Sequence, residues 1–156
     1  MRVLISAHKD GSDASPTSAG DERTPFLDVL QQATVLMLAC SLNPATKNLI
    51  SASELGLLRP ETVVVNISRG GLVDERAMLE ALQSKRLWGY GTDVFEVEPA
   101  GSAKDSVLLS DNQKGLNIVM TPHLAWNSET TKKNIMDMVQ TNLKSWLEGR
   151  NENRVV

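Results

Sequence analysis

Five short apolar runs constrain the fold of this chain more than any other feature. They are Val3 to Ile5, "ATVLMLAC" (33–40), "TVVVNI" (62–67), "LWGYGTDVF" (87–95) and "NIVMTP" (117–122). None alternates polar with apolar residues, so none reads as a strand with one wet face. Helical patterns lie between them. Phe26, Leu27, Val29 and Leu30 suggest a short helix. Ser51 and Glu54 match a capping box, which predicts a helix from Ser51 with Pro60 marking its end. Asp74 is set to cap another helix, with Met78, Leu79, Ala81 and Leu82 on its apolar face. A last helix is expected from about Ser128, with Ile135, Met138, Val139, Leu143, Trp146 and Leu147 at helical spacing. Buried strands alternating with helices imply an α/β fold: a doubly wound parallel sheet, covered on both faces, with a long C-terminal helix.

Composition narrows the partners. The chain has 156 residues, enough for one domain, and a net charge of −3. With no basic run, this balance argues against nucleic acid as a partner. No apolar run approaches the ~20 residues of a membrane span, so no membrane partner is expected. The single Cys40 rules out an internal disulfide and suits a reducing compartment, so the cytoplasm is the expected location. The stretch "HKDGSDASPTSAGDERTP" (8–25) reads as an exposed loop.

In parallel sheets the ligand crevice lies beyond the carboxyl ends of the strands. Three groups directly follow buried strands: Arg69, the acids Asp93, Glu96 and Glu98, and His123. Arginine grips a carboxylate bidentately and polarises a neighbouring carbonyl. Histidine exchanges a proton near neutral pH, and a nearby carboxylate favours its charged form. Together they could protonate a carbonyl oxygen while hydride reaches the carbon, or run the reverse. Taken singly, each has an ordinary reading. Arg69 could be a surface residue in a glycine-rich turn, Glu98 a solvated loop acid, and His123 a donor to a backbone carbonyl. Other chemistries find less support. Two histidines and one cysteine give no zinc spacing, so no metal is expected. "NISRGG" lacks the nucleophile-elbow frame, and "GYGTDV" lacks the third glycine of a dinucleotide fingerprint.

Three motifs, "LLRPETVVVNISRGGLVDERAMLEAL", "GYGTDVFEVEP" and "NIVMTPHLAW", resemble in their order the D-2-hydroxyacid dehydrogenase family. The resemblance runs from about residue 26, and "TPHLAW" followed by "NSET" is most similar to the glycerate dehydrogenase (hydroxypyruvate reductase) branch. It implies a Rossmann-type cofactor fold and NAD or NADP as cofactor. It gives Arg69 the substrate's carboxylate and carbonyl, His123 the acid/base role, and Glu98 the carboxylate paired with that histidine. Asp93 matches the residue that contacts the nicotinamide carboxamide. Ile67 and Ser68, with Arg69, lie where the backbone meets the cofactor, and Ala125 and Trp126 flank the nicotinamide end after His123. Asp93 has the ordinary reading of a strand-end acid capping local amides, and Trp126 could equally be a packing residue at a domain edge.

The sequence also departs from the family pattern. No G-x-G-x-x-G occurs, and residues 1–9 resemble the second strand of the cofactor domain. The chain is therefore expected to be a C-terminal half: 1–126 as part of a cofactor domain lacking its first βαβ unit, and 127–156 as a helix and tail returning to an absent substrate domain. Where NAD-preferring members carry an acid for the ribose, the run is Ser6, Ala7, His8, Lys9. Lys9 could favour the phosphate of NADP, or with His8 be a solvated loop residue. An exposed sheet edge and apolar face lead us to expect a homodimer or higher assembly. Three functions stay open: reduction of a small 2-ketoacid (or oxidation of a 2-hydroxyacid) with little activity in isolation, a non-catalytic assembly or co-repressor-like partner, and a truncated gene product.

Overall fold

The computed structural model describes residues 2–10, 23–150 and 152–153. Most of the expected loop over 8–25, and the end of the C-terminal tail, lie outside these residues. The chain divides into two compact units, Met1–Pro122 and His123–Val156.

The first unit is built on four parallel strands in the order β1 (Val35–Leu38), β2 (Val63–Asn66), β3 (Gly89–Thr92) and β4 (Ile118–Met120). Their registers align Leu36, Val64, Tyr90 and Ile118 in one row. The next row holds Met37, Val65, Gly91 and Val119. Side chains alternate across a strand, so these rows face opposite ways. Leu36, Val64 and Tyr90 are buried and join one core with Val29 and Leu30 of α1 (Phe26–Gln32), Leu55 of α2 (Ala52–Leu55) and Leu108. Met78, Leu79, Ala81 and Leu82 of α3 (Glu75–Gln83) complete it, as their spacing predicted. Fully burying a side chain such as Met78 contributes about 2 kcal/mol.

Three expectations need correction. The first apolar run is not a strand: Ser6 makes only an isolated parallel bridge to Thr24. Val3 is 72% exposed, and the segment's backbone pairs only where Ile5 and Ala7 exchange hydrogen bonds with Thr24 at 2.8 Å. The capping box at Ser51 forms, with the Glu54 carboxylate accepting from the Ser51 N–H at 3.0 Å, but its helix stops at Leu55 instead of reaching Pro60. Glycine at position 56 favours that early stop. Finally, the described helices of the first unit contribute to the core on one face of the sheet. On the other, Val35, Met37 and Val119 are 58, 57 and 65% exposed.

The second unit contains α4 (Glu129–Leu147), whose start at Ser128 was legible in the sequence. The Ser128 hydroxyl accepts from the Thr131 N–H at 3.1 Å and caps the helix. Its apolar stripe is present but open: Leu143 is 57% exposed, and Trp146 and Leu147 are each 75% exposed.

Candidate active site

The strand β2 ends on Asn66, whose side chain is buried and must therefore find partners. Its amide donates to the Arg69 carbonyl at 2.9 Å, and its oxygen accepts from the Ser68 N–H at 3.2 Å. The Asn66 carbonyl accepts from the Asp93 N–H at 3.0 Å, joining this turn to the end of β3. The Ser68 hydroxyl donates to the Cys40 carbonyl, which ties the turn to the loop after β1. Residues 67–70 are thus held from three sides. Ile67 and Arg69 are exposed, and an Arg69 Nη1 donates to the Ser68 carbonyl at 2.7 Å. Gly71 follows with φ of +76°, a conformation that L side chains rarely adopt.

After β3 the chain turns through a loop that carries the acids. Asp93 is 3% exposed, and its Oδ1 accepts a short hydrogen bond from the Thr121 hydroxyl. Thr121 also donates its N–H to the Thr92 carbonyl at 3.0 Å, so it binds the ends of β3 and β4 together. Glu98 is exposed, and its Oε1 accepts from the Phe95 N–H at 2.9 Å. The Glu96 N–H donates instead to Oε1 of Glu75, the buried first residue of α3, at 2.9 Å. Gly70 packs against the same stretch: a Cβ there would stand 1.8 Å from the Phe95 carbonyl oxygen. The arginine turn and the acid loop are therefore in direct backbone contact.

Beside Arg69 an open depression of about 480 Å³ is lined by Ala39, Cys40, Ser41, Leu42, Ser68 and Arg69. Four of these six side chains are small. Partial burial pushes the Cys40 thiol above its usual value, outweighing a backbone hydrogen bond that acts the other way. Lys9 is not a merely solvated residue: its Nζ lies 2.9 Å from Oε1 of the buried Glu54. Its charge is thus already engaged within the fold.

His123, Ala125 and Trp126 belong to the second unit. His123 is partly buried and holds φ of 55°, a backbone state uncommon for residues other than glycine. Trp126 is 50% exposed. Among the described residues no group of three or more His, Cys, Asp or Glu could hold a metal ion. No helix of the described residues is long and apolar enough to cross a membrane.

Sequence reading singled out Arg69, Asp93 and Glu98 but passed over Asn66, Glu75 and Thr121, which organise them. Asn66 did carry a signal, since an amide at the end of an apolar strand needs partners. Glu75 and Thr121 carried none, because their partners lie 21 and 28 residues away.

Comparison with known proteins identifies the family and the fold. The family model for the NAD binding domain of D-isomer specific 2-hydroxyacid dehydrogenases matches residues 1–125. The glycerate dehydrogenase of Methylorubrum extorquens is 36% identical over 127 residues, covering 81% of this chain and 39% of that protein. The glyoxylate reductase of Pyrococcus furiosus is 31% identical over 149 residues, covering 96% of this chain and 42% of that protein. The NAD-complexed D-isomer specific 2-hydroxyacid dehydrogenase of Lactobacillus delbrueckii ssp. bulgaricus superposes with a TM-score of 0.73 at 28% identity, over 86% of this chain and 43% of that one. The chain spans less than half the length of the relatives it matches. It belongs to the D-isomer specific 2-hydroxyacid dehydrogenase family.

Proposed function

We propose that this chain supplies the cofactor-side groups of a site that interconverts a small 2-ketoacid, of the hydroxypyruvate or glyoxylate type, and a D-2-hydroxyacid. The observation that carries the reading is the backbone contact between the Arg69 turn and the loop bearing Glu98, beside a depression at the carboxyl ends of β1 and β2. Arg69 binds the substrate carboxylate and polarises its carbonyl. His123 gives a proton to the carbonyl oxygen in reduction and takes it back in oxidation, with Glu98 as its paired carboxylate. Asp93 meets the nicotinamide carboxamide, while Ile67, Ser68, Ala125 and Trp126 border the ring. When bound, NADH or NADPH would supply the hydride for reduction, and NAD or NADP would take it up in oxidation. The small side chains beside Arg69 suit a planar ring.

The isolated chain turns over slowly or not at all. A glycine-rich loop and helix N-terminus normally carry much of the affinity for the cofactor phosphates, and no G-x-G-x-x-G occurs in this sequence. The open stripe of α4 supports two further parts of the proposal: residues 127–156 pack against a substrate domain, and the chain works as a homodimer or higher assembly; the single Cys40 supports a cytoplasmic location. Its alternative, a non-catalytic assembly partner, rests on the same stripe.

Amide resonances on the full chain test the binding reading. With millimolar NADH or NADPH and glyoxylate, amides 67–70 and 93 will shift, and Arg69→Gln will abolish the glyoxylate-dependent part. A spectrum unchanged by either ligand would sink the dehydrogenase reading. Rapid loss of reduced-nicotinamide absorbance by the isolated chain would contradict the low-activity part alone.

A further inference from the structure

Glu75 is a buried acid that the proposed chemistry does not use. It opens α3, where negative charge is favoured, yet it does not cap that helix. Asp74 does so, accepting from the Ala77 N–H at 3.0 Å. The Glu75 carboxylate turns instead to the loop after β3. Its Oε1 accepts from the Glu96 N–H at 2.9 Å, and its Oε2 accepts from the Ser106 hydroxyl at 2.6 Å. Ser106 is itself buried and caps the short turn Val107–Leu109 through the Leu108 N–H at 3.1 Å. One carboxylate therefore grips both the start and the end of the acid loop.

Its position along that loop matters. The Phe95–Glu96 peptide donates its N–H to Glu75, and its carbonyl abuts Gly70, next to Arg69. The preceding peptide donates the Phe95 N–H to the Glu98 carboxylate. Anything that lets the Phe95–Glu96 peptide swing moves the anchor of Glu98 and the wall behind the arginine turn together. Hydrogen bonds to a buried carboxylate are among the stronger ones in a fold.

We propose that Glu75 is a positioning residue: by holding the Phe95–Glu96 peptide and Ser106 it keeps Glu98 and the Arg69 turn in register. Naming Arg69 and Glu98 as the groups served rests on the functional reading above, but the clamp itself does not.

The test is amide-resolved hydrogen exchange on the full chain without ligand, with the Glu98 side-chain carboxyl carbon resonance followed alongside. In Glu75→Ala, exchange at Phe95 and Glu96 will rise roughly tenfold or more while amides of β2 and β3 stay unchanged, and the Glu98 resonance will move. Glu75→Gln will restore both, since its carbonyl can accept from Glu96 and its amide can donate to Ser106. Should Glu75→Ala not fold, Ser106→Ala removes only one partner and will give a smaller rise at the same two amides. Unchanged exchange at Phe95 and Glu96, or an equal rise across the strands, overturns the proposal. No cofactor or ketoacid takes part, so failure to bind either one counts against the dehydrogenase reading and leaves this result standing.

Discussion

Gly70 and Phe95 meet without room for a methyl group: a Cβ on Gly70 would lie 1.8 Å from the Phe95 oxygen and 2.0 Å from its carbonyl carbon. This contact is backbone on backbone, so no flexible side chain can move aside. The arginine turn and the acid loop can stay together only if residue 70 is glycine.

Gly70→Ala is therefore expected to push the acid loop away and cost about 1–3 kcal/mol, the usual range for overpacking. Gly71→Ala provides the contrast. A Cβ at Gly71 has ordinary space, with the nearest atom of Leu42 at 3.6 Å, but φ of +76° strains any L residue by about 1–2 kcal/mol. Urea unfolding will register both losses. Only Gly70→Ala will also shift the amide resonances of Phe95 and Glu96.

Tyr90 gives a prediction at high pH. Burial in the core pushes its phenol up to about 12, against weaker opposing hydrogen bonds with Thr92 and Asn66 and with a further push from the charge of Glu75. The raised value means the folded chain keeps this proton after the unfolded chain has lost it. The contribution is fully present below about pH 10 and is lost as pH rises towards 12, by roughly 2–3 kcal/mol. Tyr90 is the chain's single tyrosine, so phenolate absorbance reports on it alone. Its titration will run well above that of the denatured chain, and the urea midpoint will fall across the same window.

How far the sequence could be read is clearest at β2. Val63 to Ile67 announced a buried strand, and Arg69 at its mouth announced a crevice, because both signals are local. Covering helices are not local. Met37 and Val119 are as apolar as Leu36 and Val64, and nothing in the runs tells which face the helices take. Val3 to Ile5 looked like the other strands for the same reason, since strand formation depends on a neighbour that composition does not reveal. At the site, residue types were enough to single out Arg69, Asp93 and Glu98 as candidates. The residues that hold them act across long sequence separations, as Thr121 does on Asp93 and Glu75 on Glu96.

Glu54 contributes to the acid side of stability. Burial acts to raise its carboxyl, but the Lys9 ammonium, the Ser51 N–H and the Ser53 hydroxyl together outweigh it and hold the carboxyl below the usual value. A lowered folded value means the unfolded chain takes up the proton first. This contribution is present above about pH 4.5 and is lost as pH falls through the folded value. Glu54→Gln is expected to cost about 1 kcal/mol at neutral pH, as loss of a helix cap does, and to flatten the fall in stability on acidification. Urea midpoints measured from neutral pH into the acid range will show whether the two curves converge.

The stripe of α4 bears on assembly. Ile135, Met138, Val139, Leu143, Trp146 and Leu147 lie along it, each between 45 and 75% exposed. Ser145, the buried residue of this helix, hydrogen bonds Glu152 at 2.7 Å within the same unit and so does not account for the stripe. An apolar face of this kind is normally covered in solution. The full chain is expected to run as a dimer or larger species in light scattering at micromolar concentration. Leu143→Glu with Trp146→Glu will weaken association roughly tenfold or more, since large buried aromatics dominate interface energy. Helix content will not change, because the Ser128 cap and the helix backbone are untouched. A wild-type chain that scatters as a monomer counts against the assembly, and one that associates equally well with both glutamates present must use another surface.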